Sequence, residues 1–204
     1  MQLGARPSDH SNSVIGNKGV QSILVELGVS RSNSTGLNII ADSQNRYTKD
    51  LAANILHALN NEALSPKESA LIGLSTSIND KSKDGIAIFT NLSKNRGATP
   101  KEIAEVYSST SLLSLNNAFY HFRHAANKDY YLNSPAGIKM TVVGKPVLGK
   151  EFFELLSLSV SALNGCDECI RSHEKTALHH GSSESRIYEA VRTAAIFRSL
   201  IVLL

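Results

Sequence analysis

Apolar and polar residues follow the period of an α-helix over most of this chain. In the segment TKDLAANILHALNNEAL the apolar residues recur every four positions, which is the spacing of one helix face. These residues are Leu51, Ile55, Leu59 and Ala63. No segment sustains the alternation at every second position that predicts a half-buried strand, and the nearest case, IKMTVV at 138–143, is expected to be a loop or a helix end. The pattern predicts an all-α fold.

Two of these helices begin with the same capping signature. In LSPKESALIGL, Ser65 precedes Pro66, and Glu68 follows the serine by three positions. TPKEIAEV repeats this order from Thr99. A hydroxyl at the cap accepts from the helix backbone, the glutamate reaches back to the cap, and proline fits the first helical position. The signature therefore predicts that one helix starts at Pro66 and another at Pro100.

The chain also contains a weak internal repeat. A shift of 84 residues places LIGLSTSI, at 71–78, over LLSLSVSA, at 155–162. Each half then reads as a helix, a loop, a second helix, a glycine and a third helix. We infer a helical bundle built from two degenerate repeats, at about 65–120 and 149–204.

A change in composition divides the chain into an N-terminal extension, 1–46, and a helical domain, 47–204. The extension is rich in Ser, Asn and Gly and contains one short apolar patch, SILVELGV. We expect it to be poorly ordered or loosely packed, and the simplest interpretation is a vestigial or species-specific tail.

Composition excludes several classes of function. The net charge is +3 over 204 residues, and no run of Lys and Arg forms a stripe that could bind nucleic acid. No apolar run approaches the roughly 18 residues that span a membrane, and the first residues lack the apolar core of a signal peptide. Two cysteines form no disulfide framework. We therefore expect a cytoplasmic protein that binds neither membrane nor nucleic acid.

Both cysteines lie in one short segment, NGCDECIRSHEKT. Cys166 and Cys169 are three positions apart, which places their thiols on one helix face and near enough for a disulfide. A helix starting at Asn164 or Gly165 would put Cys166 in its first turn, where the helix dipole favours the thiolate. His173 follows Cys169 by four positions and can serve as its base. The spacing favours reactive thiols.

Two other interpretations of the segment remain open. A closed metal site needs four ligands, and Cys166, Cys169 and His173 could be joined by His179 or His180. Three ligands would then crowd onto about two helical turns, and the chain has no second pair of cysteines. The second alternative is a buried structural cysteine pair. Neither alternative is excluded by spacing alone.

The first repeat favours redox chemistry in the second. It keeps the helical pattern but holds none of the reactive residues at the equivalent positions. Ser82, Gly85, Phe89 and Ala70 stand opposite Cys166, Cys169, His173 and Glu154. This difference is expected if the second repeat carries an active site and the first is structural.

The segment FELLSLSVSALNGCDECIRSHEKTALHHG is similar to the core of the AhpD family of alkyl hydroperoxide reductase-associated proteins, within the carboxymuconolactone decarboxylase-like superfamily. That family has Glu, eleven residues, Cys, two residues, Cys, three residues and His. Glu154, Cys166, Cys169 and His173 keep every one of these spacings. Three further segments also resemble the family: NNAFYHFRH, the connector LNSPAGIKMTVVGKPVLGKEFFEL and the closing helix IYEAVRTAAI. The resemblance covers about residues 47–204.

The resemblance implies an antioxidant thiol–disulfide reductase with peroxidase activity, acting on alkyl hydroperoxides and keeping the peroxiredoxin AhpC reduced. It implies that Glu154 orients His173, that His173 takes the proton of Cys169, and that Cys166 resolves the intermediate as a Cys166–Cys169 disulfide. Thioredoxin would by analogy favour Cys166 as the attacking thiol. The implied reductant is a dihydrolipoyl group on a lipoylated dehydrogenase component, with no tightly bound cofactor or metal. A homo-oligomer, most simply a trimer, is expected.

One departure from the family bears on reactivity. Its best-known members have a histidine directly before the second cysteine, whereas this chain has Glu168, and Asp167 precedes it. Both carboxylates oppose thiolate formation, so a base such as His173 is needed. Three more histidines fall on helical patterns and are expected to be surface or packing residues: His57, His121 and His124.

Two functions of other classes also remain open after the resemblance. One is a decarboxylase-like enzyme of the same superfamily that needs no cysteine pair. The other is a helical binding module in which the cysteine pair senses redox state.

Overall fold

The structure is a computed structural model that describes residues 18–29 and 34–204. Within these ranges every regular element is a helix, which confirms the predicted all-α fold. The helices are α1 Lys18–Glu26, α2 Thr35–Asp42, α3 Tyr47–Asn60, α4 Pro66–Asn79, α5 Lys83–Asn95, α6 Pro100–Ala126, α7 Asp129–Asn133, α8 Thr141–Gly144, α9 Lys150–Leu163, α10 Asp167–His179 and α11 Glu184–Ile201. None of the helices in the described ranges is long and apolar enough to cross a membrane.

The predicted face of α3 is in the core, since Leu51, Ile55 and Leu59 are all buried. The helix ends at Asn60, so Ala63 lies beyond it, in the turn to α4. The side chain of Asn61 accepts the backbone N–H of Ala63 at 3.1 Å and ends the helical pattern there. Both predicted capping boxes, at the starts of α4 and α6, are present.

Helices α4 and α9 form the centre of the bundle. Every residue from 69 to 77 and from 152 to 161 is buried, so each helix is covered on all sides. Both contain serines, some of whose hydroxyls bond carbonyls of the preceding turn: Ser77 Oγ donates to Gly73 at 2.8 Å, and Ser159 Oγ donates to Leu155 at 2.8 Å. These bonds satisfy two buried hydroxyls, whereas those of Ser69 and Ser157 have no hydrogen-bond partner among the described residues.

The spacing of the helices follows the proposed repeat. The three helix pairs α4 and α9, α5 and α10, and α6 and α11 each start 84 residues apart. Lys67 Nζ pairs with Glu102 at 2.7 Å, and at the equivalent positions Arg186 Nε pairs with Glu151 at 2.8 Å. The same contact thus occurs twice with its charges exchanged. These equivalences support a duplication, which remains an inference.

Part of the predicted N-terminal extension packs on the bundle. Val20, Ile23 and Leu24 on α1 and Leu37 on α2 are buried, and Ile23 and Leu37 belong to the main core. The apolar residues of the patch SILVELGV have the spacing of an amphipathic helix. The patch is short and lies between segments rich in Ser, Asn and Gly, so the composition of the extension as a whole does not predict this helix. The described part of the extension is therefore not loosely packed. Residues 1–17 and 30–33 lie outside the described ranges, and there the expectation stays a prediction.

A long connector, residues 127–149, runs from α6 to α9 and contains only the short helices α7 and α8. Its end is held by the buried carboxylate of Glu105, which accepts the N–H groups of Val147 and Leu148 at 2.7 and 2.6 Å. In the segment 138–143, residues 138–140 are a loop and residues 141–143 belong to α8, so the segment forms no strand, as expected. The connector lies beside the cysteines and forms one wall of the candidate site.

Candidate active site

The two cysteines lie where α9 turns into α10. Gly165 has a positive φ of 67°, which reverses the chain after the C-cap residue Asn164. The N–H of Cys166 then donates to the carbonyl of Ser161 at 3.1 Å. Helix α10 begins at Asp167, so the predicted start at Asn164 or Gly165 is wrong, because the left-handed glycine cannot belong to the helix. Cys166 is the N-cap residue and does not lie in the first turn.

Cys166 and Cys169 form a disulfide, with an S–S distance of 2.08 Å and their Cα atoms 5.3 Å apart. Cys166 is completely buried, whereas Cys169 is 7% exposed and lines a cavity. A molecule that enters this cavity therefore contacts Cys169 and not Cys166. In this state each sulfur is bonded to the other, and no group of three or more His, Cys, Asp or Glu side chains in the described ranges could hold a metal ion.

Glu154 and His173 form a close pair between α9 and α10. Oε2 of Glu154 lies 2.6 Å from Nδ1 of His173. The carboxylate is buried, while the imidazole reaches the cavity that also contains Cys169. A carboxylate that accepts the Nδ1–H of an imidazole fixes its orientation and leaves Nε2 as the basic nitrogen. The expected contact between Glu154 and His173 is thus present, and the pair can hold a base beside the thiols.

The cavity has a volume of about 570 Å³ and lies between α6, the connector, α9 and α10. Cys169 and His173 lie on its α10 side. Much of the remaining wall is apolar and comes from α6 and the connector: Tyr120, Leu132, Met140 and Val143. The space could hold an apolar chain whose end reaches the disulfide.

The connector is fastened to the helices on either side of this cavity. The guanidinium of Arg123 on α6 donates to the carbonyls of Leu132 and Ser134. The ammonium of Lys150 on α9 donates to the carbonyl of Val143. These bonds fix the apolar wall relative to the cysteines.

A carboxylate stands between the two cysteines, as the sequence indicated. Glu168 lies in the first turn of α10, lines the cavity, and pairs with Arg171 at 2.9 Å. Nε2 of His124 on α6 lies 3.7 Å from the same carboxylate. His124 therefore belongs to the cavity wall, although its helical pattern alone predicted a surface or packing residue. The signal that could have found it is the family-like segment NNAFYHFRH, which forms this part of α6.

His179 and His180 lie at the far end of α10 and do not line the cavity. His179 is the last residue of the helix, and His180 caps it before Gly181, whose φ is 93°. Their position fits an interaction of a basic group with the C-terminal end of the helix dipole. They are not assembled with the cysteines as metal ligands.

Comparison with known proteins shows the family to which the chain belongs. The chain matches the profile of the Carboxymuconolactone decarboxylase family over residues 45–128 and 131–201. It is 36% identical over 156 residues to "Alkyl hydroperoxide reductase AhpD" of Rhodopseudomonas palustris strain BisB18, which covers 76% of this chain and 86% of the relative.

Two other relatives carry the same name. The protein of Anaeromyxobacter dehalogenans strain 2CP-1 is 31% identical over 167 residues, which is 81% of this chain and 89% of the relative. The protein of Gluconacetobacter diazotrophicus is 34% identical over 153 residues, which is 73% of this chain and 81% of the relative. The chain therefore belongs to the carboxymuconolactone decarboxylase family and, within it, to the AhpD family.

Proposed function

We propose that the protein is a thiol–disulfide reductase that reduces alkyl hydroperoxides and regenerates a peroxiredoxin of the AhpC type. The observation that carries the proposal is the Cys166–Cys169 disulfide, whose outer sulfur and the Glu154-bound His173 line one cavity. The relatives named alkyl hydroperoxide reductase support the same assignment.

The oxidative half of the reaction starts from the dithiol. Nε2 of His173 accepts the proton of the Cys169 thiol, and the thiolate attacks the terminal oxygen of the hydroperoxide. An S–O bond forms, the O–O bond breaks, and the alcohol leaves with the proton from the imidazolium. The thiolate of Cys166 then attacks the sulfenic sulfur of Cys169, so that the disulfide forms and water leaves. Two electrons pass from the thiols to the peroxide.

A peroxiredoxin disulfide would be reduced by the same two thiols. The thiolate of Cys169 attacks one sulfur of the partner and releases the other as a thiolate. Cys166 then attacks Cys169 in the mixed disulfide, which restores the Cys166–Cys169 disulfide and releases the reduced partner. The exposure of the two cysteines supports this order, because only Cys169 faces the cavity.

The reductant we propose is a dihydrolipoyl group attached to a dehydrogenase component, with no tightly bound cofactor in the protein itself. Such a group is a short apolar chain that ends in a dithiol, and the apolar wall of the cavity suits it. One donor thiolate attacks Cys169, Cys166 leaves as a thiolate, and the second donor thiol closes the donor's own disulfide. Two electrons and two protons thereby reach the protein.

We also propose a homo-oligomer, most simply a trimer. No residue from Ala118 to Glu151 is buried, although this stretch contains many apolar side chains. Phe122 is 50% exposed and Tyr130 is 78% exposed. A second copy of the chain packed here would cover apolar surface that a lone subunit leaves in water. The cytoplasmic location stays a prediction.

Steady-state reduction of an alkyl hydroperoxide by dihydrolipoamide, with and without a peroxiredoxin, tests the function. We expect the wild type to turn over and Cys169→Ser to be inactive. His173→Gln should be strongly impaired, whereas His180→Gln, at the far end of the same helix, should match the wild type. Equal turnover by the wild type and Cys169→Ser would exclude the proposal and leave the decarboxylase-like alternative. A redox-dependent change in partner affinity without turnover would favour the sensing module.

A further inference from the structure

A connected series of polar side chains encloses the turn that carries Cys166. Asn117 on α6 donates from Nδ2 to the hydroxyl of Ser161 at 2.9 Å, and its Oδ1 accepts from Nδ2 of Asn164 at 2.9 Å. Asn164 also exchanges amide hydrogen bonds with Asn79 on α4, both at 3.0 Å. The series thus joins three helices to one turn.

Asn117 contacts both sides of this turn. On one side, the Asn117 amide donates to the hydroxyl of Ser161. The backbone carbonyl of Ser161 in turn accepts the N–H of Cys166 at 3.1 Å. Asn164, its other partner, precedes Cys166 by two positions. The Cys166 side chain is completely buried, so its sulfur takes its position from the backbone of this turn. Asn117 is itself only 3% exposed.

The equivalent turn in the first repeat shows that the buried amide is not needed to form the backbone. There the N–H of Ser82 donates to the carbonyl of Ser77 at 3.0 Å, and Lys81 has a φ of 59° where Gly165 has 67°. The position equivalent to Asn117 is occupied by the buried, apolar Ile201. A buried amide is therefore found at the turn that carries a cysteine, while the equivalent turn without a cysteine forms without one.

We infer that Asn117 is a positioning residue for the redox reaction: it holds the turn so that the Cys166 sulfur stays within reach of Cys169 after the disulfide opens. A preorganised pair of thiols closes faster and forms a more stable disulfide, because less freedom is lost on closure. Loss of the Asn117 amide frees the turn mainly in the reduced protein. The disulfide then becomes easier to reduce and slower to re-form.

The inference is tested by the equilibrium between the protein disulfide and dithiothreitol. In this exchange the protein S–S bond breaks, the S–S bond of oxidised dithiothreitol forms, and two electrons and two protons move to the protein. The variants are Asn117→Ala and Asn117→Ile, the second of which installs the residue type of the first repeat. Alkylation of free thiols gives the fraction reduced.

We expect both variants to lower the equilibrium constant for disulfide formation roughly tenfold, because one buried and one partly buried hydrogen bond of Asn117 are lost. That factor corresponds to about 30 mV in a two-electron couple. Asn164→Ala should also lower the equilibrium constant for disulfide formation. Because Asn164 is exposed, this variant allows the test even if substitution of the buried Asn117 prevents folding.

The matched control is Asn61→Ala. Asn61 organises the turn between α3 and α4 by accepting the N–H groups of Ala63 and Leu64 at 3.1 and 2.9 Å. Its loss should lower the thermal midpoint without moving the redox equilibrium. If folded Asn117 and Asn164 variants keep the wild-type equilibrium constant within about twofold, the amides only stabilise the fold and the inference is wrong.

The inference rests on the dithiol chemistry proposed above, but the two can fail separately. The equilibrium with dithiothreitol needs no peroxide and no protein partner. A protein that shows the expected shift yet reduces no hydroperoxide would overturn the proposed substrate and keep the role of Asn117. The reverse result would overturn the role of Asn117 and keep the proposed function.

Discussion

The buried carboxylate of Glu154 lies 2.6 Å from Nδ1 of His173, and in the described part of the chain it is the only acidic side chain within hydrogen-bonding distance of the imidazole. The two residues are on successive helices, so the contact depends on how α9 and α10 pack. Its chemical value is that the carboxylate orients the base and stabilises the imidazolium once a proton has been taken.

Glu154→Gln should therefore retain the shape of the site and lose its charge. We expect kcat/KM for hydroperoxide reduction to fall about 100-fold, as is typical when a general base is disabled. Initial rates at a series of hydroperoxide concentrations give this ratio, and the thermal midpoint shows whether the fold is kept. A wild-type rate in a folded Glu154→Gln protein would contradict the proposed role of the pair.

The order of attack by the two cysteines can be read from single substitutions. In Cys166→Ser, peroxide should convert Cys169 to a sulfenic acid that a dimedone probe traps, because no second thiol can resolve it. In Cys169→Ser we expect no sulfenic acid, because Cys166 is completely buried. Mass spectrometry of labelled peptides measures both. A stable sulfenic acid at Cys166 in the absence of Cys169 would reverse the assigned order.

Glu168 should slow the reaction of the thiols near neutral pH. Its carboxylate lies in the first turn of α10, between the cysteines, where a negative charge opposes formation of the thiolate. Glu168→Gln should shift the pH dependence of iodoacetamide alkylation of the reduced protein to lower pH. Asp84→Asn is the matched control, because Asp84 occupies the equivalent position in the first turn of α5 and has no cysteine beside it. An unchanged profile in Glu168→Gln would show that the charge does not affect the thiols.

The ion pairs of Arg186 should make the free energy of unfolding depend on pH in the acidic range. It donates to Glu68 at 2.5 Å and to Glu151 at 2.8 Å. Hydrogen bonds to Glu151 raise the pKa of Arg186 well above its usual range, ahead of the opposing effect of burial. Burial would raise the pKa of Glu151, but hydrogen bonds from Arg186 and Ser182 outweigh it and lower the pKa below the ordinary 4.5.

A carboxyl group whose pKa is lower in the folded than in the unfolded protein stabilises the fold at pH values above its pKa in the unfolded protein. That stabilisation is lost as the pH falls through its pKa in the folded protein. Arg186→Met leaves two carboxylates close together, so it should lower the free energy of unfolding by about 1–3 kcal/mol at pH 7. The difference from wild type should shrink below about pH 4 as these carboxylates become protonated. Urea unfolding at both pH values measures it. Lys67→Met, which removes a more exposed cation with one partner, should have a smaller effect.

The parts of the site that the sequence predicts well are those linked by local spacing. Cys166 and Cys169 share a helix end, and the fixed interval to Glu154 and His173 identifies the second helix that joins them. The sequence does not identify Asn117, because its partner Asn164 is 47 residues away and the contact exists only once α6 crosses the turn. The periodicity of apolar residues predicts the helices but not where one helix crosses the turn between two others.

The sequence does not predict the cavity wall, for a related reason. Residues of the connector such as Met140 and Val143 have neither helical nor strand periodicity, and their place follows from bonds made by Arg123 and Lys150 to backbone carbonyls. A carbonyl acceptor is present at every residue, so the sequence gives no sign of which one a cation will choose.

The exchanged ion pairs have a consequence for how the chain folds. Helices α6 and α11 occupy equivalent places in the two halves, so each could in principle dock against the wrong partner. If α11 took the place of α6 on α4, Arg186 would face Lys67, and the converse error would place Glu102 against Glu151. Both errors bring like charges together, while the native arrangement pairs opposite ones. The reversal of sign therefore disfavours an exchange of the two helices, and Arg186 in its native place binds Glu151 of its own half together with Glu68 of the other half.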